Sequence, residues 1–150
     1  MAIKTYVVHN ASVLTAVGIT GLQLYKFGKT TSIPFENQNI EVPYDVLKSN
    51  QQNNLHTLFI LDLKPNSNDS LSVTDAIRYL LKVELKRNEK VFTDNTLCIG
   101  CTKLGSLDRI IRAGKAKDLL QYIFKGGMHC LIVPAKKLHF MEEEALKLYL

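Results

Sequence analysis

The sequence reads as an α/β domain: a mixed, partly parallel sheet flanked by helices. Three observations predict it. Near-continuous apolar runs at residues 56–63, 96–102 and 129–133 have the composition of strands covered on both faces. Segments with helical spacing stand between them, above all residues 72–87. A hydrophobic content of 46% over 150 residues is enough for one sizeable core.

Each element has its own justification. Residues 3–8 are apolar and β-branched, a strand. A small-polar corner, Asn10-Ala11-Ser12, hands over to a short helix with Ser12 as N-cap, ending near Gly18 or Gly21. Residues 29–35 form a strand stopped by Pro34. Pro43 suits the first turn of a helix whose inner face is Tyr44, Val46 and Leu47. After the buried strand 56–63, residues 65–70 make a turn-rich loop. Helix 72–87 starts on Ser72 with Asp75 at its third position. Ala76, Ile77, Leu80, Leu81, Val83 and Leu85 give its apolar face, and Glu84 points to solvent. Strand 96–102 is broken by Gly105-Ser106. Residues 109–113 follow as an edge strand, and residues 115–124 as a helix ended by Gly126-Gly127. His129–Val133 is the third buried strand, and residues 140–150 close the chain as a helix with a Glu-rich start. The runs 56–63, 96–102 and 129–133 form the centre of the sheet.

Lys and Arg exceed Asp and Glu by 19 to 14, a net +5 that favours acidic partners without selecting one. The excess is spread over helix faces without the aromatic interleaving of a single-strand platform, so no direct nucleic-acid role is expected. No apolar run approaches the ~20 residues of a membrane span, and the N-terminus has no signal-peptide pattern. Three cysteines, an odd number, suit free thiols in a reducing compartment, so a cytoplasmic location is expected. Cys98 and Cys101 spell C-x-x-C, but in a strand they face opposite ways, and no second pair completes a metal set. No metal site is expected.

His56 and His129 each stand just before a buried strand, where clefts form in α/β sheets. Both are candidate cleft residues, with a hydrogen-bonded structural histidine as the alternative. No Ser-His-Asp order, paired carboxylates or glycine-rich nucleotide loop is present. Spacing and chemistry alone stop at an α/β domain with a cleft.

The blocks along the chain are more specific. "ASVLTAVGITGLQLYKFGKTTSIPF", "PYDVLKSN" with "LHTLFILDL", "VFTDNTLCIG", "LGSLDRIIRAGKAKDLL" and "MHCLIVPAKKLHFMEEEAL" resemble, in order, segments of the diphthine synthase family of the tetrapyrrole methylase superfamily. The resemblance implies the C-terminal domain of that fold. Residues 1–11 would be the end of a connection from an N-terminal domain outside these residues, and residues 12–150 the domain itself. It implies a methyltransferase using S-adenosyl-L-methionine and releasing S-adenosyl-L-homocysteine. The substrate would be the modified histidine of elongation factor 2 in diphthamide biosynthesis, and the assembly a homodimer. Position by position, the family's cofactor contacts fall on Ser12, Val13, Leu61, Leu104 and His129, with no dedicated catalytic acid or base.

The sequence departs from the family at two places. Thr102-Lys103 stands for its usual Ala-Arg, which loses a planar donor. In the segment 134–139, Ala135 stands for a usual Gly and there is one extra Lys, expected to reshape the loop after the third strand. Alternatives are a tetrapyrrole or ribosomal RNA methyltransferase of the same superfamily, or a non-enzymatic module for an acidic protein surface.

Overall fold

In the computed structural model, residues 3, 5, 11–64 and 69–150 are described. Of the expected strand 3–8 only residues 3 and 5 are described, and the core of the expected loop 65–70 lies outside the described residues.

Among the described residues five strands form one mixed sheet: β1 (Thr31–Ile33), β2 (Thr57–Leu61), β3 (Leu97–Thr102), β4 (Ile110–Lys115) and β5 (His129–Val133), in spatial order β1-β2-β5-β3-β4. β1 pairs parallel with β2, and every other pairing is antiparallel. The three apolar runs are the three central strands, as their composition predicts. Alternation sends successive side chains to opposite faces. Phe59, Cys98, Leu131 and Val133 enter one buried cluster, while Leu58, Ile99, Cys101, Cys130 and Ile132 enter the other. Cys98 and Cys101 thus part to opposite faces, as strand geometry requires, and all three cysteines are buried free thiols.

The first face is covered by α2 (Val42–Gln52), α3 (Val73–Arg87) and the single turn α4 (Ala116–Leu119). α3 begins with a capping box. The Ser72 hydroxyl accepts the Asp75 N–H, and the Asp75 carboxylate accepts the Ser72 N–H at 3.0 Å. Gly100 permits this layer to close. A Cβ there would lie 2.4 Å from Phe124 Cζ and 2.8 Å from Val73 Cγ1.

The opposite face carries α1 (Val13–Ala16), two 3₁₀ turns (Val17–Thr20 and Leu24–Lys26), α5 (Phe140–Leu146) and a last 3₁₀ turn, Lys147–Tyr149. Gly21 ends the first of these turns with φ +83°, and a Cβ there would meet the Ala145 Cβ at 2.2 Å.

Several expectations shift. Strand 29–35 contracts to β1, and 56–63 to β2 with isolated bridges at His56 and Leu63. The edge strand runs longer than expected and the helix after it is one turn, not 115–124. Tyr122 and Phe124, two apart, pack edge to face at 4.8 Å, a spacing that a continuing helix does not bring to one side. The last helix breaks into 3₁₀ after Leu146. Leu85 is 85% exposed, off the apolar face assigned to it. Glu84 does not simply point to solvent. It takes the Tyr44 hydroxyl at 2.7 Å and the N–H groups of Lys90, Val91 and Phe92, fastening the turn after α3.

One buried carboxylate links the second layer to the sheet. Glu142, fully buried on α5, pairs with Lys26 Nζ at 2.8 Å and His56 Nε2 at 2.9 Å, and accepts the Gln23 and His139 N–H groups. His56 Nδ1 accepts the Ala135 N–H at 2.9 Å, so Nε2 carries the ring proton and donates it to Glu142. Burial holds the His56 pKa down against the pull of Glu142. Burial alone raises the Glu142 pKa, but Lys26, the two backbone donors and His56 together hold it at about 2.

The Glu142 carboxylate therefore contributes stability that is complete above its ordinary value of 4.5 and is lost as pH falls toward 2, amounting to about 3 kcal/mol. Replacing Glu142 by Gln should cost about 3–5 kcal/mol near neutral pH, because Lys26 loses its counter-charge. Urea unfolding at a series of pH values should show the gap between native and E142Q proteins narrowing as pH drops through that window. A gap independent of pH would refute the assignment.

Candidate functional site

A cavity of about 260 Å³ opens where three central strands meet the start of α1. β2 delivers Leu61 as its last residue, β5 opens on His129, and β3 runs out into Lys103 and Leu104. α1 begins beside them. Ser12 caps it by accepting the Leu14 N–H at 3.2 Å and keeps its own hydroxyl proton to donate. Ser12, Val13, Leu61, Leu104 and His129 all border this cavity. Four separate segments, from both ends of the chain, thus converge on one concavity. Met128, 68% exposed, and Ile60 also border it, and nothing in the sequence marked them beyond adjacency to His129 and Leu61.

His129 is nearly buried, and its polar edge faces the fold. Nδ1 accepts the Val73 N–H, at the first turn of α3, at 3.4 Å. Burial depresses its pKa below the ordinary 6.5, while the Gly126 backbone and Asp75 pull it back. With Nδ1 occupied by a donor, the ring is neutral. Thr102 stands directly opposite His129 across β3 and β5, and its buried hydroxyl has no hydrogen-bond partner among the described residues.

Lys103, where the resemblance leads one to expect Arg, borders the cavity but turns its charge aside. Its ammonium pairs with Asp108, which the Ser106 hydroxyl also contacts at 2.8 Å. Its stem lies over Gly126 and Gly127, where a Cβ on Gly127 would be 2.4 Å from Lys103 Cγ. The two loops are further joined by the Lys103 N–H to the Met128 carbonyl, 3.0 Å.

The second cleft candidate, His56, is a correction. It is completely buried at the other end of the sheet, locked between Glu142 and the Ala135 amide. The loop after β5 lies at that same distant end. Both its departures are absorbed there: Ala135 donates to His56, and the Lys137 backbone is clasped by Asn54. They do not touch the cavity.

No protein-family profile matches the chain. Over 147 residues it is 45% identical to a diphthine synthase of Methanosphaera stadtmanae, covering 96% of this chain and 56% of that protein. A diphthine synthase of Methanocaldococcus jannaschii is 43% identical over 149 residues, covering 97% and 58%. A crystal structure assigned as a diphthine synthase from Entamoeba histolytica superposes with a TM-score of 0.90 at 37% identity, covering 95% and 58%. The chain thus spans little more than half the length of the relatives it matches.

Two measurements check the site. Nitrogen-15 spectra of His129 should report the Nε2–H tautomer near neutral pH, with protonation only below pH 6.5. An Nδ1–H tautomer would contradict the bond to α3. Thr102→Val should leave thermal stability unchanged or raise it by about 1 kcal/mol, since it deletes an unpartnered buried hydroxyl and keeps the shape. A loss of more than that would mean the hydroxyl has a partner.

Proposed function

Starting from a chain homologous to the diphthine synthases over nearly all its length, yet spanning little more than half of theirs, we propose that it forms one wall of an S-adenosyl-L-methionine site in a protein methyltransferase. One observation carries the reading: Ser12, Val13, Leu61, Leu104 and His129, matched to cofactor contacts from sequence, border a single cavity. The substrate proposed is the modified histidine of elongation factor 2 in diphthamide biosynthesis, in a cytoplasmic homodimer. Residues 1–11 belong, on this reading, to a connection from a preceding domain, and residues 12–150 to the wall-forming domain.

The wall suits such a ligand. The cofactor supplies an electrophilic methyl on a sulfonium, and transfer needs alignment and exclusion of water more than acid–base help. Leu61 and Leu104 offer apolar surface. The neutral ring of His129 and the Asp108-paired Lys103 add no unbalanced positive charge beside a cation. Ser12 supplies a hydroxyl donor at the mouth. At about 260 Å³ the cavity is smaller than the ~300–1,000 Å³ usual for such ligands, which fits a site completed by a second wall.

A one-sided wall forfeits contacts and leaves the ligand wet. If this removes ~3–4 kcal/mol, affinity falls by two to three decades. Calorimetry on the 150-residue chain should therefore show weak binding of S-adenosyl-L-methionine and no methyl transfer. Joining the preceding domain of a relative to its N-terminus should restore affinity, and His129→Ala or Ser12→Trp in that longer protein should lower it again. Low-micromolar binding by the chain alone would contradict the two-walled reading. Full binding with no transfer to elongation factor 2 would leave a methyltransferase of another substrate.

A further inference from the structure

The loop between β3 and β4 carries a leucine that packs into neither layer of this chain. Leu107 is 100% exposed and belongs to neither buried cluster. A single exposed leucine is ordinary on a protein surface. This one differs in how it is held. Ser106, just before it, donates its N–H to the Lys103 carbonyl at 3.0 Å, and its hydroxyl lies 2.8 Å from both that carbonyl and the Asp108 carboxylate. The Lys103 ammonium pairs with Asp108, and the Arg109 guanidinium donates to the Ser106 carbonyl at 3.2 Å. Lys103 and Gly105 take positive φ values, +52° and +90°, which fold the segment back on itself. These bonds all lie within residues 103–109, so the loop needs no covering layer to hold its shape. Leu107 is presented on it, not packed beneath it.

The surroundings select what Leu107 meets. Lys103, Leu104 and Gly105 border the strand-mouth cavity, and Leu107 does not. A second wall closing the cavity meets the bordering residues first. An acceptor side chain carried by a whole protein is different: it cannot reach the cavity unless the surface around it rests on the rim, where Leu107 stands out. A loop already braced loses little freedom when such a surface lands on it. The charge agrees with a protein surface of one sign. Lys103 and Asp108 cancel. Arg109 and Lys125, both exposed and with no ion pair printed among the described residues, leave this loop and its neighbour after Phe124 positive. The carboxylates on the rim, Asp62 and Asp69, stand on the β2 side, where Lys64 pairs with Asp69.

We propose that loop 103–109 is a docking element for the protein substrate, with Leu107 as its apolar anchor and Arg109 and Lys125 meeting acidic groups around the acceptor side chain. This deepens the methyltransferase reading and rests on it.

The test is binding of the chain to purified elongation factor 2, followed by leucine methyl NMR and by interferometry on immobilised chain. The Leu107 methyls should shift and broaden, and Leu107→Ser should weaken binding ~tenfold, as expected for losing one apolar side chain that becomes buried. Leu148→Ser, at a leucine 80% exposed on the second layer, should change nothing. Arg109→Glu should weaken binding by a similar factor at low salt and by less at high salt. Absence of binding, or equal binding by Leu107→Ser, would overturn the proposal. A second arm uses the chain joined to the preceding domain of a relative. There Leu107→Ser should raise KM for elongation factor 2 and leave kcat and the affinity for S-adenosyl-L-homocysteine unchanged. Lost cofactor affinity or lost thermal stability would make the preceding domain the occupant of Leu107 and would also overturn the proposal. Failure of the methyltransferase reading looks different: no cofactor response at Val13, Leu61 and Leu104, with the Leu107 effects on protein binding intact.

Discussion

The buried carboxylate of Glu142 is the constraint on which the rest of the arrangement depends. A charge taken out of water is tolerated only when fully compensated. Here the compensation comes from the chain's early turn (Gln23, Lys26), the entry to β2 (His56) and the start of α5 (His139). His56 extends the network to Ala135 after β5. These groups are dispersed in sequence and meet at one atom pair, so satisfying Glu142 fixes how the second layer lies on the sheet. That layer includes α1, whose first residues form part of the cavity at the sheet's other end. Gly21 against Ala145 and the Tyr149 hydroxyl on the Ile19 carbonyl hold the same contact along its length. The polar knot and the cavity are thus opposite ends of one packed layer.

Much of the fold was legible because its signals are local. The three central strands announce themselves as continuous apolar runs, since a strand covered on both faces has no polar side to show. Ser72 and Asp75 mark the start of α3 by chemistry confined to one turn. What sequence could not give depends on partners far along the chain. Glu84 looked like a solvated helix position because its ligands, the amides of 90–92, are supplied by a loop whose path no periodicity encodes. His56 and His129 carry identical local signatures, each one residue ahead of or at the start of a buried strand. They differ only in strand direction: β2 and β5 are antiparallel, so their first residues lie at opposite ends of the sheet. One enters the Glu142 network, the other borders the cavity.

The cavity itself was legible through resemblance and not through spacing. Ser12, Val13, Leu61 and Leu104 are ordinary cap and core residues by composition. The geometry adds what neither source gave. His129 Nδ1 is turned to the first turn of α3, and the Lys103 charge is turned to Asp108. What remains toward the cavity is largely apolar, with charge balanced, a surface suited to a partly apolar cationic ligand and poorly suited to a bare anion.

The most direct test of this account is methyl and amide NMR of the chain titrated with S-adenosyl-L-homocysteine to millimolar concentration, where even a one-sided site fills appreciably. The account predicts shifts of the Val13, Leu61 and Leu104 methyls and the His129 amide that rise together on one binding curve, with Leu107 and Leu148, both exposed and not among the residues bordering the cavity, unmoved. Shifts centred elsewhere, or none at those four positions, would contradict it.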